Sequence, residues 1–292
     1  MRDVEDERVS LVALAYRMLG DVGEAEDAVQ EAYLRWVSLS EQERAGIDRP
    51  GAWLNRVTSR ICLDVLGSAR SRRERYVGPW LPEPVPARGP IGAARPATDP
   101  LDSVTLDDSV SLALQIVLDA MTPAERVAFV MHDVFGVPFA EIAETVGRSP
   151  AAVRQLAASA RRKVGEERGR RASRAVHDQV VAAFAAACAS GRLQELVVAL
   201  DPEVVLTSDG GGRVSAARRP VVGADNVARF VLGILTKQPD ASLEPVETAD
   251  GLGYLLRQGG EAIGLAAFGV DTAGRIVDVW LVRNPDKLSL WA

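Results

Sequence analysis

The stretch SPAAVRQLAASARRKV, Ser149 to Val164, carries four basic residues and no acid. Arginine pairs guanine and glutamine pairs adenine through two-pronged hydrogen bonds. Arg154 and Gln155 sit near the start of this helical pattern, where the second helix of a helix-turn-helix meets base edges; Ser159 lies one turn further on. Arg161, Arg162 and Lys163 are better placed to hold phosphates, which fix register without reading sequence. The alternative is a solvated basic helix on a bundle. A second basic group, Arg70, Arg72, Arg73 and Arg75, follows Arg56 and Arg60, with Trp53 and Asn55 close by. A basic groove with an aromatic platform suits single-stranded nucleic acid, although an arginine-rich helix end is equally a solvated face.

Both groups stand out against an acidic chain of formal net charge -6. Residues 1–55 hold six basic and twelve acidic groups, residues 56–76 six and two, and residues 151–174 eight and two. Such local islands indicate local anionic partners rather than a general nucleic-acid coat. Acid–base chemistry is poorly supported. The carboxylates Asp209, Asp225 and Asp271 could serve as bases in an apolar pocket, but His177 and Tyr254 stand at no spacing that makes a pair with them. The reading is therefore no catalytic residue and no enzyme. Cys62 and Cys188 read as reduced core thiols, and no metal-ligand spacing or cofactor motif is present. An acidic N-terminus without an apolar core and the lack of an eighteen-residue apolar run predict a cytoplasmic protein with no membrane partner.

The elements that must position these residues are mostly helical in the first half. Leu11, Leu14, Ala15, Met18 and Leu19 form one stripe, Gly20 ends it, and Asp21 with Glu24 starts a second helix in capping-box order. That helix buries a selection of Ala25, Ala28, Val29, Ala32, Leu34 and Trp36 and leaves an acidic face. Pro50 opens a third long helix. Residues 77–100 hold seven prolines and read as an extended linker. Thr122, Pro123 and Glu125 specify a helix start; Pro138 opens a short helix, Gly147 ends it, and Ser149-Pro150 caps the next. Two short helices around a glycine turn form a helix-turn-helix pattern. RGRRAS, Arg168 to Ser173, reads as a hinge, and beyond it strand-like runs around two helices predict an α+β domain.

YRMLGDVGEAEDAVQEAYLRWV, PGAWLNRVTSRICLDVLGSARSRRERY and the segment from Met121 to Val164, in this order, resemble the polymerase-binding, -10-reading and -35-reading parts of a bacterial RNA polymerase sigma factor of the extracytoplasmic function group. WLPEP (Trp80, Leu81, Pro82, Glu83, Pro84), DGGGR (Asp209, Gly210, Gly211, Gly212, Arg213) and NPDKL (Asn284, Pro285, Asp286, Lys287, Leu288) resemble the subgroup with a fused SnoaL-like domain. The resemblance implies two all-α domains, a region 2 bundle and a helix-turn-helix region 4, followed by an α+β SnoaL-like cone-shaped barrel. Its boundaries fall at 1–76, 77–100 for the linker, 101–168 and 174–292. It implies that Asp27, Gln30, Glu31 and Leu34 face core RNA polymerase, whose beta-prime clamp and beta flap are the expected contacts. It puts Asn55, Arg56, Ser59, Arg60, Arg70, Arg72 and Arg73 at -10 promoter DNA, and Arg154, Gln155, Ser159, Arg161, Arg162 and Lys163 at -35 DNA. Where many relatives carry Arg-Asn, this chain has Arg60-Ile61-Cys62.

Trp80 and Leu81 are costly to leave in a wet linker and the prolines hold them extended; the resemblance implies that WLPEP docks on the C-terminal domain, the alternative being an apolar pair that covers the first helical domain. The expected function is promoter-specific initiation controlled in cis by that domain, which also has room for an unidentified small-molecule ligand. The competing readings are a helix-turn-helix regulator with a ligand-binding domain and a SnoaL-like enzyme tethered to DNA-binding helices.

Overall fold

A computed structural model of the protein describes residues 7–73, 76–86, 89, 91 and 110–292. They divide into two compact units, one within 1–74, 87–110 and 114–166, the other within 75–86, 111–113 and 167–292.

The first unit is helical. The apolar stripe of α1 (Arg8–Leu19) is wholly buried, and Gly20 closes the helix in the left-handed conformation. Asp21 accepts the Glu24 amide at 2.9 Å and starts α2 (Val22–Ser38). Ala25, Ala28, Val29 and Ala32 are the ones that face inward on α2, whereas Leu34 is 60% exposed. After the short α3 (Glu41–Ala45), α4 (Pro50–Arg73) completes a three-helix bundle with α1 and α2. Side chains beyond Ser68 on α4 lie outside the described residues.

The helix-turn-helix follows. α5 (Leu112–Asp119) leads to α6 (Pro123–Phe129), whose Thr122–Glu125 capping box is complete. The buried Arg126 ties α6 back to α5 through Asp119 at 3.0 Å and Gln115 at 3.2 Å. A π-helical turn, Val130–Val134, extends α6; nothing in the residue pattern foretells it. α7 (Phe139–Val146) ends at Gly147, whose φ of 67° is the left-handed turn the motif requires, and α8 (Pro150–Arg170) follows. The expected hinge at RGRRAS is not a break at Arg168: α8 runs on through Arg170.

In the second unit, α9 (Arg174–Ser190), α10 (Leu193–Ala199) and α11 (Ala224–Lys237) pack on a six-stranded sheet. Its strands are β1 (Leu200–Asp209), β2 (Val221–Val222), β3 (Ser242–Thr248), β4 (Gly251–Gln258), β5 (Glu261–Val270) and β6 (Ile276–Val282), in the order β2-β1-β6-β5-β4-β3. The α+β character agrees with the sequence reading, but the barrel does not: β2 and β3 remain at opposite edges and the sheet is open. Most of RVSAARRPVV is loop, with only Val221 and Val222 in a strand. Residue 172 prolongs the sheet, its amide donating to the Val270 carbonyl at 2.9 Å. Arg171 lies across β5 at Gly269, where a Cβ would collide with its guanidinium, and stands 5.2 Å over the Trp280 ring.

Among the described residues, β1 and β6 are the one parallel pair. Parallel neighbours end on the same side, so Asp209 at the end of β1 lies opposite Val282 at the end of β6. This pairing sets DGGGR beside NPDKL.

Candidate nucleic-acid interface and linker clasp

On α2, Asp27, Gln30, Glu31 and Leu34 share one exposed stripe at helical spacing. Val37 extends it, 67% exposed. An apolar pair at the end of an acidic stripe is a surface suited to a protein partner.

The -10 set on α4 is less uniform. Asn55 is half-buried and Arg60 exposed, but Ser59 is wholly buried and cannot reach a strand in this arrangement. Arg56 pairs with Glu144 on α7 at 2.8 Å, and Arg49 pairs with Glu141 at 2.8 Å. α4 thus lies against the first helix of the helix-turn-helix, with two acids of that helix answering two arginines. Both pairs are largely exposed, so each contributes about 0–1 kcal/mol. Arg70, Arg72 and Arg73 have side chains outside the described residues.

On α8, Arg154, Gln155, Arg161 and Arg162 are exposed. Arg154 stands 6.0 Å from the Phe139 ring centroid, and Arg161 pairs with Asp133 at 3.1 Å. Ser159 and Lys163 are half-buried and turn towards α6. The Ser159 hydroxyl donates to Glu125 at 2.8 Å, and Lys163 Nζ reaches both Glu125 oxygens at 3.1 Å. Burial alone would raise the Glu125 pKa, but hydrogen bonds from Thr122, Ser159 and Lys163 outweigh it and hold the carboxyl down to about 2. These two residues bolt α8 to α6 and so orient Arg154 and Gln155. The acidic capping residue thirty-four positions before Ser159 was the signal, but its second role is invisible without the fold.

The second unit assembles the three remaining motifs. Leu81, Pro82, Glu83 and Pro84 are buried, and Trp80 is half-buried. The Leu81 amide donates to Asp209 Oδ2 at 3.0 Å, and Lys287 Nζ donates to the same oxygen at 2.8 Å and to the Leu81 carbonyl. The Lys287 ammonium also stands 4.3 Å from the Trp80 ring centroid and 5.2 Å from that of Tyr76. At such distances a desolvated cation is attracted by the ring face. Tyr76 donates its hydroxyl to Asp209 Oδ1 at 2.6 Å and accepts from Asn284 at 3.0 Å. Burial, then the Asp209 carboxylate, push the Tyr76 phenol well above its ordinary range. Trp291 closes the far end, its indole N–H donating to the Pro84 carbonyl at 2.8 Å.

DGGGR is where this packing needs glycine. Gly211 has φ 59°, its amide donates to Asp209 Oδ1 at 3.0 Å, and a Cβ there would fall 2.5 Å from the Asn284 side chain. Gly210 is buried and Gly212 exposed; Arg213 reaches Asp286 at 3.2 Å on the surface. Pro285 is exposed and Leu288 buried. Tyr76, Trp291 and Asp250 belong to the same set of linker contacts and escaped sequence reasoning. Asp250 accepts the amides of Leu112 and Ala113 at 2.7 and 3.0 Å, holding residues 112 and 113 to this unit.

The residues considered for catalysis scatter. Asp209 is in the clasp, Asp225 pairs with Arg229 on the surface, and Asp271 accepts the amides of Ala273 and Arg275 in a turn. His177 is buried, with Nδ1 3.0 Å from Asp178 and Nε2 3.1 Å from the Phe268 carbonyl, so both ring nitrogens are engaged in structure. Among the described residues no helix is long and apolar enough to cross a membrane.

Family comparisons accord with this geometry. Sigma-70 region 2 matches residues 4–73, and Sigma-70 region 4 matches residues 111–164. The ECF RNA polymerase sigma factor SigJ of Mycobacterium tuberculosis is 40% identical over 97% of this chain and 91% of its own length. A probable ECF RNA polymerase sigma factor of the same organism, SigI, is 44% identical over 96% of this chain and 92% of its own length. The crystal structure of SigJ superposes with a TM-score of 0.73 at 36% identity, covering 99% of this chain and 98% of that one. With two sigma-70 regions in order, each built around the expected helices, and full-length relatives of this kind, the chain belongs to the family of ECF RNA polymerase sigma factors.

Proposed function

We propose that the protein directs promoter-specific initiation by core RNA polymerase and that its α+β domain controls this in cis through the linker. The α2 stripe of Asp27, Gln30, Glu31 and Leu34 would hold the beta-prime clamp, region 4 the beta flap, and the two basic helices the promoter. In the first unit the two readers pack on each other, with Ser59 buried and Arg56 engaged by Glu144. Two DNA elements more than a helical turn apart are separated by more than about 34 Å, so binding both requires the readers to part. The linker would have to release or extend for that to happen.

The observation that carries the regulatory reading is the buried Lys287–Asp209 pair gripping both backbone polar groups of Leu81. A linker held this way cannot lengthen without giving up both hydrogen bonds to Leu81 and exposing the buried ion pair to water. The -35 contacts of α8 would then rest on the exposed Arg154, Gln155, Arg161 and Arg162, with Ser159 and Lys163 also bracing α8 against α6.

The test is transcription by sigma-free core polymerase on a fragmented genomic library, with the full chain and with Trp80→Ala. The full chain should give starts that share paired upstream elements. Trp80→Ala, which removes the ring over Lys287, should change initiation rate and polymerase affinity at least threefold. Equal rates and affinities would end the claim of control through the linker.

A further inference from the structure

An exposed arginine that reads a base must first be held in an extended position, and its flexible stem makes that ordering costly. Arg154 and Arg161, both exposed on α8, are held in different ways. Arg161 is answered by a carboxylate, Asp133, at 3.1 Å. Arg154 makes no ion pair among the described residues; its guanidinium carbon stands over the Phe139 ring, 6.0 Å from the centroid. The difference is chemical. A carboxylate occupies the N–H donors of a guanidinium and has to be displaced before they can meet guanine O6 and N7. An aromatic ring attracts the cation through its electron-rich face and leaves those donors available.

Phe139 is itself held in place. It is the first residue of α7 and is half-buried, while the buried face of that helix is made by Ile142, Ala143 and Thr145. Its ring stacks on that of His132, with centroids 3.7 Å apart and planes at 29°. His132 lies in the π-helical turn that extends α6, and its Nδ1 is 3.0 Å from the Val137 carbonyl. A carbonyl oxygen only accepts, so Nδ1 carries the proton and donates it. The same stretch is closed by backbone bonds: the Val137 amide donates to the Met131 carbonyl at 2.9 Å, and the Gly136 amide to the His132 carbonyl at 3.0 Å. A chain of contacts thus runs from the π-helical turn through His132 and Phe139 to Arg154.

We propose that Phe139, backed by His132, is a positioning residue for promoter reading. It holds Arg154 ready with its donors available, and so sets how sharply guanine is discriminated at one position of the -35 element. Its action is through Arg154, and the inference rests on the reading of α8 as the -35 helix.

The test uses the full-length chain bound to core RNA polymerase and a promoter library randomised over the -35 element, with base preferences read by sequencing the bound DNA. Phe139→Leu keeps an apolar side chain and removes the ring. Attraction between a ring and a cation at an exposed site predicts a loss of about two- to fivefold in discrimination, confined to the position that Arg154→Ala relaxes. Phe139→Tyr keeps the ring and should retain the wild-type preference. In an Arg154→Ala background, Phe139→Leu should change nothing further at that position. His132→Ala should act in the same direction as Phe139→Leu, and either variant, if folded by circular dichroism, suffices. Unchanged discrimination in a folded variant, an equal loss of affinity for all sequences, an effect that persists without Arg154, or a Phe139→Tyr chain that behaves like Phe139→Leu overturns the inference. An Arg154→Ala chain that relaxes no position overturns the reading of α8 and the inference with it, so the two failures are told apart.

Discussion

Replacing Lys287 with Met keeps the length of the side chain and deletes its charge. The Lys287 and Asp209 side chains are 5% and 0% exposed. Removing one member of a buried pair costs about 3–5 kcal/mol, because the remaining charge is left uncompensated. Asp209 would still accept from the Tyr76 hydroxyl and from the amides of Leu81 and Gly211. Three remaining donors argue for the low end, about 3 kcal/mol. At about 1.4 kcal/mol per tenfold, the held state of the linker should lose roughly a hundredfold in population relative to the released one. The Leu81 amide reports this directly, since it donates to Asp209. Its hydrogen exchange should accelerate by about that factor, while the Phe268 amide in β5 serves as a control for the domain. Acceleration below threefold with the control unchanged would refute the view that Lys287 holds the linker.

Two further outcomes follow from region 4. The Glu125 carboxyl is held below its ordinary value of 4.5, so its stabilisation is present above about pH 4.5 and fades as pH falls towards 2. The shift corresponds to about 3 kcal/mol at most, cut to about half by the exposure of Lys163; urea unfolding of wild type and Glu125→Gln should differ clearly at pH 6 and converge as pH falls towards 2. On DNA, Arg154→Ala should relax selectivity at one position by about 1–3 kcal/mol, whereas Arg162→Ala should weaken all sequences alike and shallow the salt slope by about one; binding titrations on a -35 duplex library at several salt concentrations separate the two.

What could be read in the sequence was what is local. Thr122 with Glu125, Asp21 with Glu24, and Gly147 each act over three or four residues, and each element starts or stops where its residues say. Ser159 and Lys163 match a DNA ligand in type and spacing; the contact both make to Glu125, on a different helix, was not legible. Apolar type alone left Leu34 open to either a core or a surface place; the helical interval from Asp27 and Glu31 points it outward. The openness of the sheet depends on β2 and β3 not meeting, which no pattern within a strand can specify. The three linker motifs were legible through family resemblance, while their contacts arise from the parallel register of β1 and β6. Tyr76 and Asp250 carried no signal beyond ordinary residue types.

The pairing of β1 with β6 also sets an order in time. Leu81 and Lys287 are 206 residues apart, and the strand that brings them together is the last of its domain. At about 5–20 residues per second, translation separates their appearance by roughly 10–40 seconds. The -10 helix α4 is synthesised before that interval and the -35 helix α8 within it, so both precede the clasp. Every molecule therefore begins its existence with the linker unrestrained, and restraint is acquired only as synthesis nears its end.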